Sequence, residues 1–469
     1  MADRLSALDA SFLYLEQPTT PMHVGGLAIF RRPKTGFDYD RLVELIEQRI
    51  ALVPRYRQKV RHIPAGIARP VWVDDPDFDV NYHVRRSALP KPGSETALHE
   101  LVARLMSRPL DHTSPLWEMY LIEGLAKGRT AVLTKTHQAM VDGITTIDIG
   151  QVILDVSPTP RPSAEEYWIP ERDPGPAKLV LNAVGEMVAR PGELVDNVRA
   201  AAGDAAATVG KVVAGVGQLF SVARTAARKA PGSPLNVEIS TQRRFAVART
   251  QLEDYRLVRS AHDCTVNDVV LTVVAGALRD WLLSRGEAVS ASSAVRALVP
   301  LSVRGEADVP SSAADATLGN RVSSFLVDLP VGEPNAVVRL HQVSHAMREH
   351  TANGQSVGAD TLVRIGGFAP PTLHALGARA ASGFSKRFFN VLVTNVPGPQ
   401  FPLYAAGARM LEMFPVVPLA KGQAMAIGLT SYDGGVFYGF NADRDAMPDI
   451  DVLAGMISES LDELLGTVG

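Results

Sequence analysis

One cysteine, Cys264, stands among 469 residues. No internal disulfide and no thiolate metal cluster can form from it, which fits a reducing compartment. No uninterrupted apolar run reaches the roughly eighteen residues that a membrane-spanning helix needs. Any meeting with lipid is therefore expected to be peripheral, on the face of a membrane or a lipid droplet. The chain also lacks an excess of positive charge. Lys and Arg number 47 against 50 Asp and Glu, for a net charge of −3, and nothing in that balance attracts nucleic acid. The opening MADRLSALDASFLYLEQ has neither a basic n-region nor an apolar h-region, so no secretory signal is expected and the implied location is cytoplasmic. Nucleotide fingerprints are missing as well. There is no P-loop, and GVGQLF (215–220) lacks a third glycine and a preceding strand.

What is present suits a folded protein. Hydrophobic residues make up 46% and charged residues 21% of the chain, a globular composition. The length exceeds one ordinary core, so two units are expected. In the first, HVGGLAIFR (23–31), WEMYLIEGL (117–125) and TAVLTKTHQ (130–138) read as strands. YDRLVELIEQRIALV (39–53), TALHELVARLMSRPL (96–110) and ITTIDIGQVILDV (144–156) read as helices. Six prolines in 157–176 then break the pattern, and an Ala/Val-rich stretch with scattered Arg and Lys fills 178–230. That stretch can lie on lipid or pack as a linker. The second unit mixes strands (243–252, 294–304, 320–330, 389–399), helices (265–286, 335–351, 449–466) and a hairpin over 424–443 turning at Asp433-Gly434-Gly435. The expected division is 1–156, a linker over 157–236, and 237–469.

Single motifs are weak. His137 ends a strand and precedes Asp142-Gly143. A histidine there can take a proton near neutral pH, but an ordinary satisfied histidine beside a turn reads the same. GQSVG (354–358) matches the hydrolase elbow around Ser356, yet a helix precedes it where that motif needs a strand. His341 and His345 stand one helical turn apart, with Glu349 as a formal third metal ligand; surface histidines are the plainer account.

The order of segments is more specific than any one of them. LSALDASFLYLE (5–16), PMHVGGLAIF (21–30), SPLWEMYLIEGL (114–125), THQAMVDG (136–143), SPLN (233–236) with RRFA (243–246), TVNDVVL (265–271), PLSVR (300–304), GNRVS (319–323) and TNVPGP (394–399) run nearly end to end. Together they resemble the bacterial wax ester synthase/diacylglycerol O-acyltransferase family, within the chloramphenicol acetyltransferase-like superfamily. The resemblance implies an α/β (α+β) fold: two acetyltransferase-like domains, each a mixed sheet with helices, joined by a long, partly helical linker, with a tunnel between them. It implies transfer of an acyl group from acyl-CoA, as co-substrate, to diacylglycerol or a long-chain alcohol, with no bound cofactor and no metal. It places His137, Gln138 and Asp142 at the catalytic centre. Gly143, Asn267, Asp268, Arg304, Asn395, Pro397 and Gly398 fall on its motifs and tunnel.

One departure carries chemical weight. The family's motif is H-H-x-x-x-D-G, and its second histidine is the expected base. Aligned on Asp142-Gly143, that place holds Gln138. A glutamine amide takes no proton near pH 7, and loss of a general base costs about 10²–10⁴ in rate. Strand alternation sets His137 on the face opposite Gln138 unless the strand's end breaks the parity. Two readings follow: an active acyltransferase using His137 or a water held by Gln138, or a weakly active relative that binds lipid or acyl-CoA. A serine hydrolase through Ser356 is a distant third.

Overall fold

The computed structural model describes residues 3–33, 36–141, 149–161, 168–189, 230–302, 322–352, 357–358 and 388–468. In its first half lie β1 (Asp3–Arg4), β2 (His23–Arg31), β3 (Gln58–Arg61), β4 (Val71–Asp74), β5 (Val84–Ala88), β6 (Trp117–Leu125) and β7 (Arg129–His137). The second half contributes β8 (Arg243–Gln251), β9 (Val295–Ser302), β10 (Val322–Leu329), β11 (Val357–Gly358), β12 (Val391–Pro397), β13 (Tyr404–Ala405), β14 (Ala408–Val416), β15 (Met425–Tyr432) and β16 (Gly435–Asp443).

Two large mixed sheets organise the molecule. The first runs β13-β14-β2-β7-β6-β5 and the second β11-β10-β9-β12-β15-β16-β8; β1, β4 and β3 form a small third sheet. The helix Glu95–Met106 is capped by Ser94, whose side chain accepts the Ala97 N–H, and it buries Leu98, Leu101, Val102, Leu105 and Met106. Only apolar residues at helical spacing give such a stripe, and it stabilises the helix by leaving water. The long helix Val266–Ser284 is buried along most of its length, as its nearly unbroken apolar sequence requires.

The expected division needs one correction. Residues 404–416 fall in the expected C-terminal unit, yet β14 pairs antiparallel with β2 and completes the first sheet. The crossing strand also packs against the second sheet. A Cβ at Gly439 of β16 would stand 1.9 Å from the Pro415 carbonyl oxygen of β14, so only glycine permits this approach. The two halves meet elsewhere through Arg243 of β8, whose backbone N–H donates to Ser107 Oγ at 3.1 Å and whose guanidinium donates to the Thr19 carbonyl. Arg249 of β8 forks to Glu95 at 3.1 Å and to Glu412 at 2.9 Å.

Of the expected helix over 144–156, Ile149–Val152 is helical, while 153–156 leave the helix and Asp155 bridges to Tyr404 instead; of the stretch 178–230, the helix Pro176–Ala189 is described, and 144–148 and 190–229 lie outside the described residues. No helix among the described residues is long and apolar enough to cross a membrane.

Candidate active site

His137 is the last residue of β7 and is fully buried. It stands opposite His23 of β2 in the antiparallel register, so the two imidazoles share a face. Lys135, two residues earlier, lies on that face too. Its ammonium donates to the Arg108 carbonyl at 2.6 Å and to Glu118 at 3.2 Å, and His23 Nε2 donates to the Met106 carbonyl at 2.7 Å. The face therefore looks toward the end of the Glu95–Met106 helix. Beyond His137 the chain leaves the strand for a single 3-10 turn, Gln138–Met140. The alternation that separates neighbours in a strand stops there. Gln138 is half-buried, and its side chain has no hydrogen-bond partner among the described residues.

The turn fixes the imidazole of His137. Its Nδ1 accepts the Ala139 N–H at 3.0 Å, which leaves the proton on Nε2. That nitrogen points at Glu16, 3.6 Å from Oε2, an electrostatic contact longer than a formed hydrogen bond. Glu16 caps the C-terminal end of the Ala7–Leu15 helix. Its Oε1 accepts the Met22 N–H at 3.0 Å, and its Oε2 accepts from His112 Nε2 at 2.7 Å. Burial alone would favour a neutral Glu16. The hydrogen bonds from His112 and Met22 and the nearby imidazole of His137 outweigh it and hold the carboxylate well below its usual range. Across the same bond, the hydrogen bond to Glu16 pushes His112 above the ordinary histidine value against a smaller effect of burial. His112 and His137 lie ring against ring, edge to face, at 5.8 Å.

Glu16, His112 and His137 offer ligand atoms within 4.8 Å of one another, which suggests a metal site. The chemistry of the donors opposes it. A histidine binding metal through Nε2 carries its proton on Nδ1, and here Nδ1 already faces the Ala139 N–H. Two donors would then confront each other. The arrangement fits a charge-paired carboxylate better than a metal.

His23 is held neutral. Burial first, then the nearby Lys135 charge, pull its pKa down to about 3. An unfolded chain binds this proton near pH 6.5 and the folded one resists it, so stability falls as pH drops from about 6.5 toward 3. Between pH 7 and pH 5 the contribution is about 2 kcal/mol. Urea unfolding of wild type and His23→Gln at both pH values checks this. The variant is expected to lose about 2 kcal/mol less on acidification, and equal losses would contradict the assignment.

In the second half, the Asn-Asp motif divides. Asp268 closes a capping box: its carboxylate accepts the Thr265 N–H at 2.9 Å, and Thr265 Oγ1 accepts the Asp268 N–H at 3.1 Å. Asn267 instead meets Asn395 of β12, whose Nδ2 donates to Asn267 Oδ1 at 3.4 Å, while Asn267 Nδ2 is buried without a partner among the described residues. Pro397 ends the same strand, and Gly398 follows just beyond it. Gly398 N–H donates to the Ser431 carbonyl at 3.0 Å, and a Cβ at 398 would stand 2.4 Å from that oxygen. This pair thus packs the β12–β15 end. Asp142, Gly143 and Arg304 lie outside the described residues.

Two weaker motifs are now placed. Ser356 is outside the described residues, but the Ala336–Ala352 helix precedes it and β11 follows, the reverse of the elbow's order. His345 Nδ1 and Glu349 stand 3.8 Å apart on an exposed face, and His341 packs against the His262 ring. Glu16 and His112, which the fold brings against His137, were not singled out by the sequence. A small cleft, with room for about one water, opens where Leu27, Leu98 and Phe414 meet Arg249. Its lining includes neither His137 nor Gln138, so the site is defined by side-chain chemistry and not by this cleft.

Residues 5–270 match the description "Wax ester synthase/diacylglycerol acyltransferase catalytic domain", and 318–465 match "WS/DGAT C-terminal domain". A protein of Mycobacterium tuberculosis named "Probable diacyglycerol O-acyltransferase tgs1" is 33% identical over 99% of this chain and 96% of its own length. Another, named "Probable diacyglycerol O-acyltransferase tgs3", is 56% identical over 43% of this chain and 74% of its own. Among solved structures, the wax ester synthase/diacylglycerol acyltransferase from Marinobacter aquaeolei VT8 matches with a TM-score of 0.69 at 27% identity, covering 99% of this chain and 100% of that one. The first condensation domain of the CDA synthetase shares the fold, with a TM-score of 0.54 at 15% identity over 98% and 96% of the two chains.

Proposed function

The chain belongs to the wax ester synthase/diacylglycerol acyltransferase family, and from that premise we propose that it moves a long-chain acyl group from acyl-CoA to the hydroxyl of a diacylglycerol or a long-chain alcohol. The product is a triacylglycerol or a wax ester. The end-to-end similarity to relatives named diacylglycerol O-acyltransferases carries this reading. The lipid acceptor is met at a membrane or droplet surface from the cytoplasmic side, and no bound cofactor takes part.

The chemistry asks three things of the protein. A base removes the proton from the acceptor hydroxyl, and the freed oxygen attacks the thioester carbonyl carbon. Hydrogen-bond donors stabilise the oxyanion that forms. The C–S bond then breaks, and the CoA sulfur leaves with the proton. His137, Gln138 and Asp142 stand at the centre of this site by their place in the motif. The amide of Gln138, unpartnered at the end of β7, suits an oxyanion donor, and Asn267 Nδ2, in the first turn of the Val266–Ser284 helix, is a second donor without a partner among the described residues. His137 braces the turn that aims Gln138.

Gln138 also favours a second reading, a family member that binds acyl-CoA and turns it over weakly. Incubating the purified chain with long-chain acyl-CoA and diacylglycerol, while following ester and free CoA thiol together, separates the two. Transfer predicts ester and thiol in equal amounts. The binding reading predicts retention of acyl-CoA at background turnover, with turnover gained only by Gln138→His.

A further inference from the structure

We propose that the general base of this acyl transfer is His112, oriented by the Glu16 carboxylate, and that this pair takes the place of the base absent from position 138. The proposal rests on the acyltransferase reading above.

A histidine acting as base needs one ring nitrogen held by the protein and the other free and within reach of substrate. His137 fails the second condition. Its Nδ1 takes the Ala139 N–H, its Nε2 faces Glu16, and it is fully buried. His23 is 2% exposed, and its Nε2 is engaged by the Met106 carbonyl. Gln138 has no basic nitrogen. His112 has one ring nitrogen held and the other open to solvent. Nε2 donates to Glu16 Oε2 at 2.7 Å, the side chain is 39% exposed, and Nδ1 has no partner among the described residues.

The pair has the form of an orienting carboxylate behind an imidazole. Glu16 is itself anchored by the Met22 N–H and is 11% exposed, so it holds one rotamer and one ring tautomer. Its negative charge steadies the imidazolium that appears once the proton is taken. His112 comes from the loop between the Glu95–Met106 helix and β6, and its ring lies 5.8 Å from that of His137. The pair is thus built beside the motif from a separate segment. Groups facing His112 are Glu16, the adjacent Asp111 and its partner Tyr82, His62 and His137. The two carboxylates favour the imidazolium and the two imidazoles oppose it.

In the proposed step the acceptor O–H bond breaks and an Nδ1–H bond forms on His112. The oxygen adds to the thioester carbonyl carbon, the C–S bond breaks, and the sulfur takes the proton back from Nδ1. His112 returns to its starting state, and no further reactant is needed.

The test uses the full chain with a long-chain acyl-CoA and diacylglycerol, and reads kcat/KM across pH. For wild type, kcat/KM is expected to rise with pH through one ionisation. His112→Ala should fall by about 10²–10⁴-fold, lose that ionisation, and recover in part when free imidazole is added. Glu16→Gln should move the ionisation to lower pH, because the carboxylate is what raises it. A His112→Ala enzyme at wild-type rate overturns the proposal. So does a slowed one that keeps the ionisation and ignores imidazole, since that is the behaviour of a structural residue. Wild type at background with every acyl-CoA and acceptor pair overturns the acyltransferase reading itself, and this proposal with it.

Discussion

Asp155→Ala is expected to lower the unfolding free energy by about 3–5 kcal/mol, the cost of leaving a buried charge without its partner. Asp155 Oδ2 accepts from Arg49 Nη2 at 2.7 Å, and both side chains are 2% exposed. With the carboxylate gone, the Arg49 guanidinium keeps, among the described residues, the Val152 carbonyl at 3.0 Å. Arg161 loses its 2.8 Å contact to the same carboxylate. The pair ties the Tyr39–Arg49 helix to the segment that returns from the motif, and Asp155 also bridges to Tyr404 through its backbone. The loss should therefore reach both stability and acyl transfer. Urea unfolding measures it. The double variant Arg49→Met with Asp155→Leu should recover most of the loss, because replacing both charges removes the desolvation penalty. A single variant within about 1 kcal/mol of wild type would place the pair among weakly contributing surface bridges.

Trp117→Ala should cost about 3–5 kcal/mol by opening a large cavity in the first core. Trp117 is fully buried. Its Nε1–H donates to the Tyr56 carbonyl at 2.8 Å, and its ring stacks on His83 at 4.6 Å and 13°. His83 completes the knot by donating Nδ1–H to the Trp117 carbonyl at 2.8 Å. Trp117→Phe keeps most of the apolar area but removes the Nε1–H donor to the Tyr56 carbonyl, and should cost about 0.5–1.5 kcal/mol. The two variants thus separate packing from hydrogen bonding. Calorimetry resolves them if the halves unfold separately; equal costs for Ala and Phe would mean that the hydrogen bond dominates the packing.

Much of the fold was legible because local pattern and final environment agree. Strands 23–31 and 117–125 appear with the predicted bounds, and apolar runs bounded by polar or turn residues are a sound strand signal. The hairpin at Asp433-Gly434 turns where expected. β14 was not legible. Its sequence ARMLEMFPV includes Pro415, which argues against an interior strand. Its partner β2 lies hundreds of residues earlier, and the ladder slips between Met410 and Glu412. No local pattern encodes so distant a pairing.

The site divides the same way. His137 and Gln138 were singled out by the motif, whereas Asp268, expected on the tunnel, closes the cap of the long helix. Glu16 and His112 were not singled out. One ends a helix and the other sits in a loop, and each looks like an ordinary surface charge until the fold brings them together. The parity rule that set His137 against Gln138 also reached its limit, because the strand ends at His137 and the next residue belongs to a turn.

The central claim is O-acyl transfer, and the fate of a labelled acyl chain tests it most directly. Wild-type protein supplied with acyl-CoA labelled in the acyl group and with diacylglycerol should place the label in triacylglycerol, with one CoA thiol freed per ester. Label recovered as free fatty acid, or left on CoA while the protein binds it, would contradict the account.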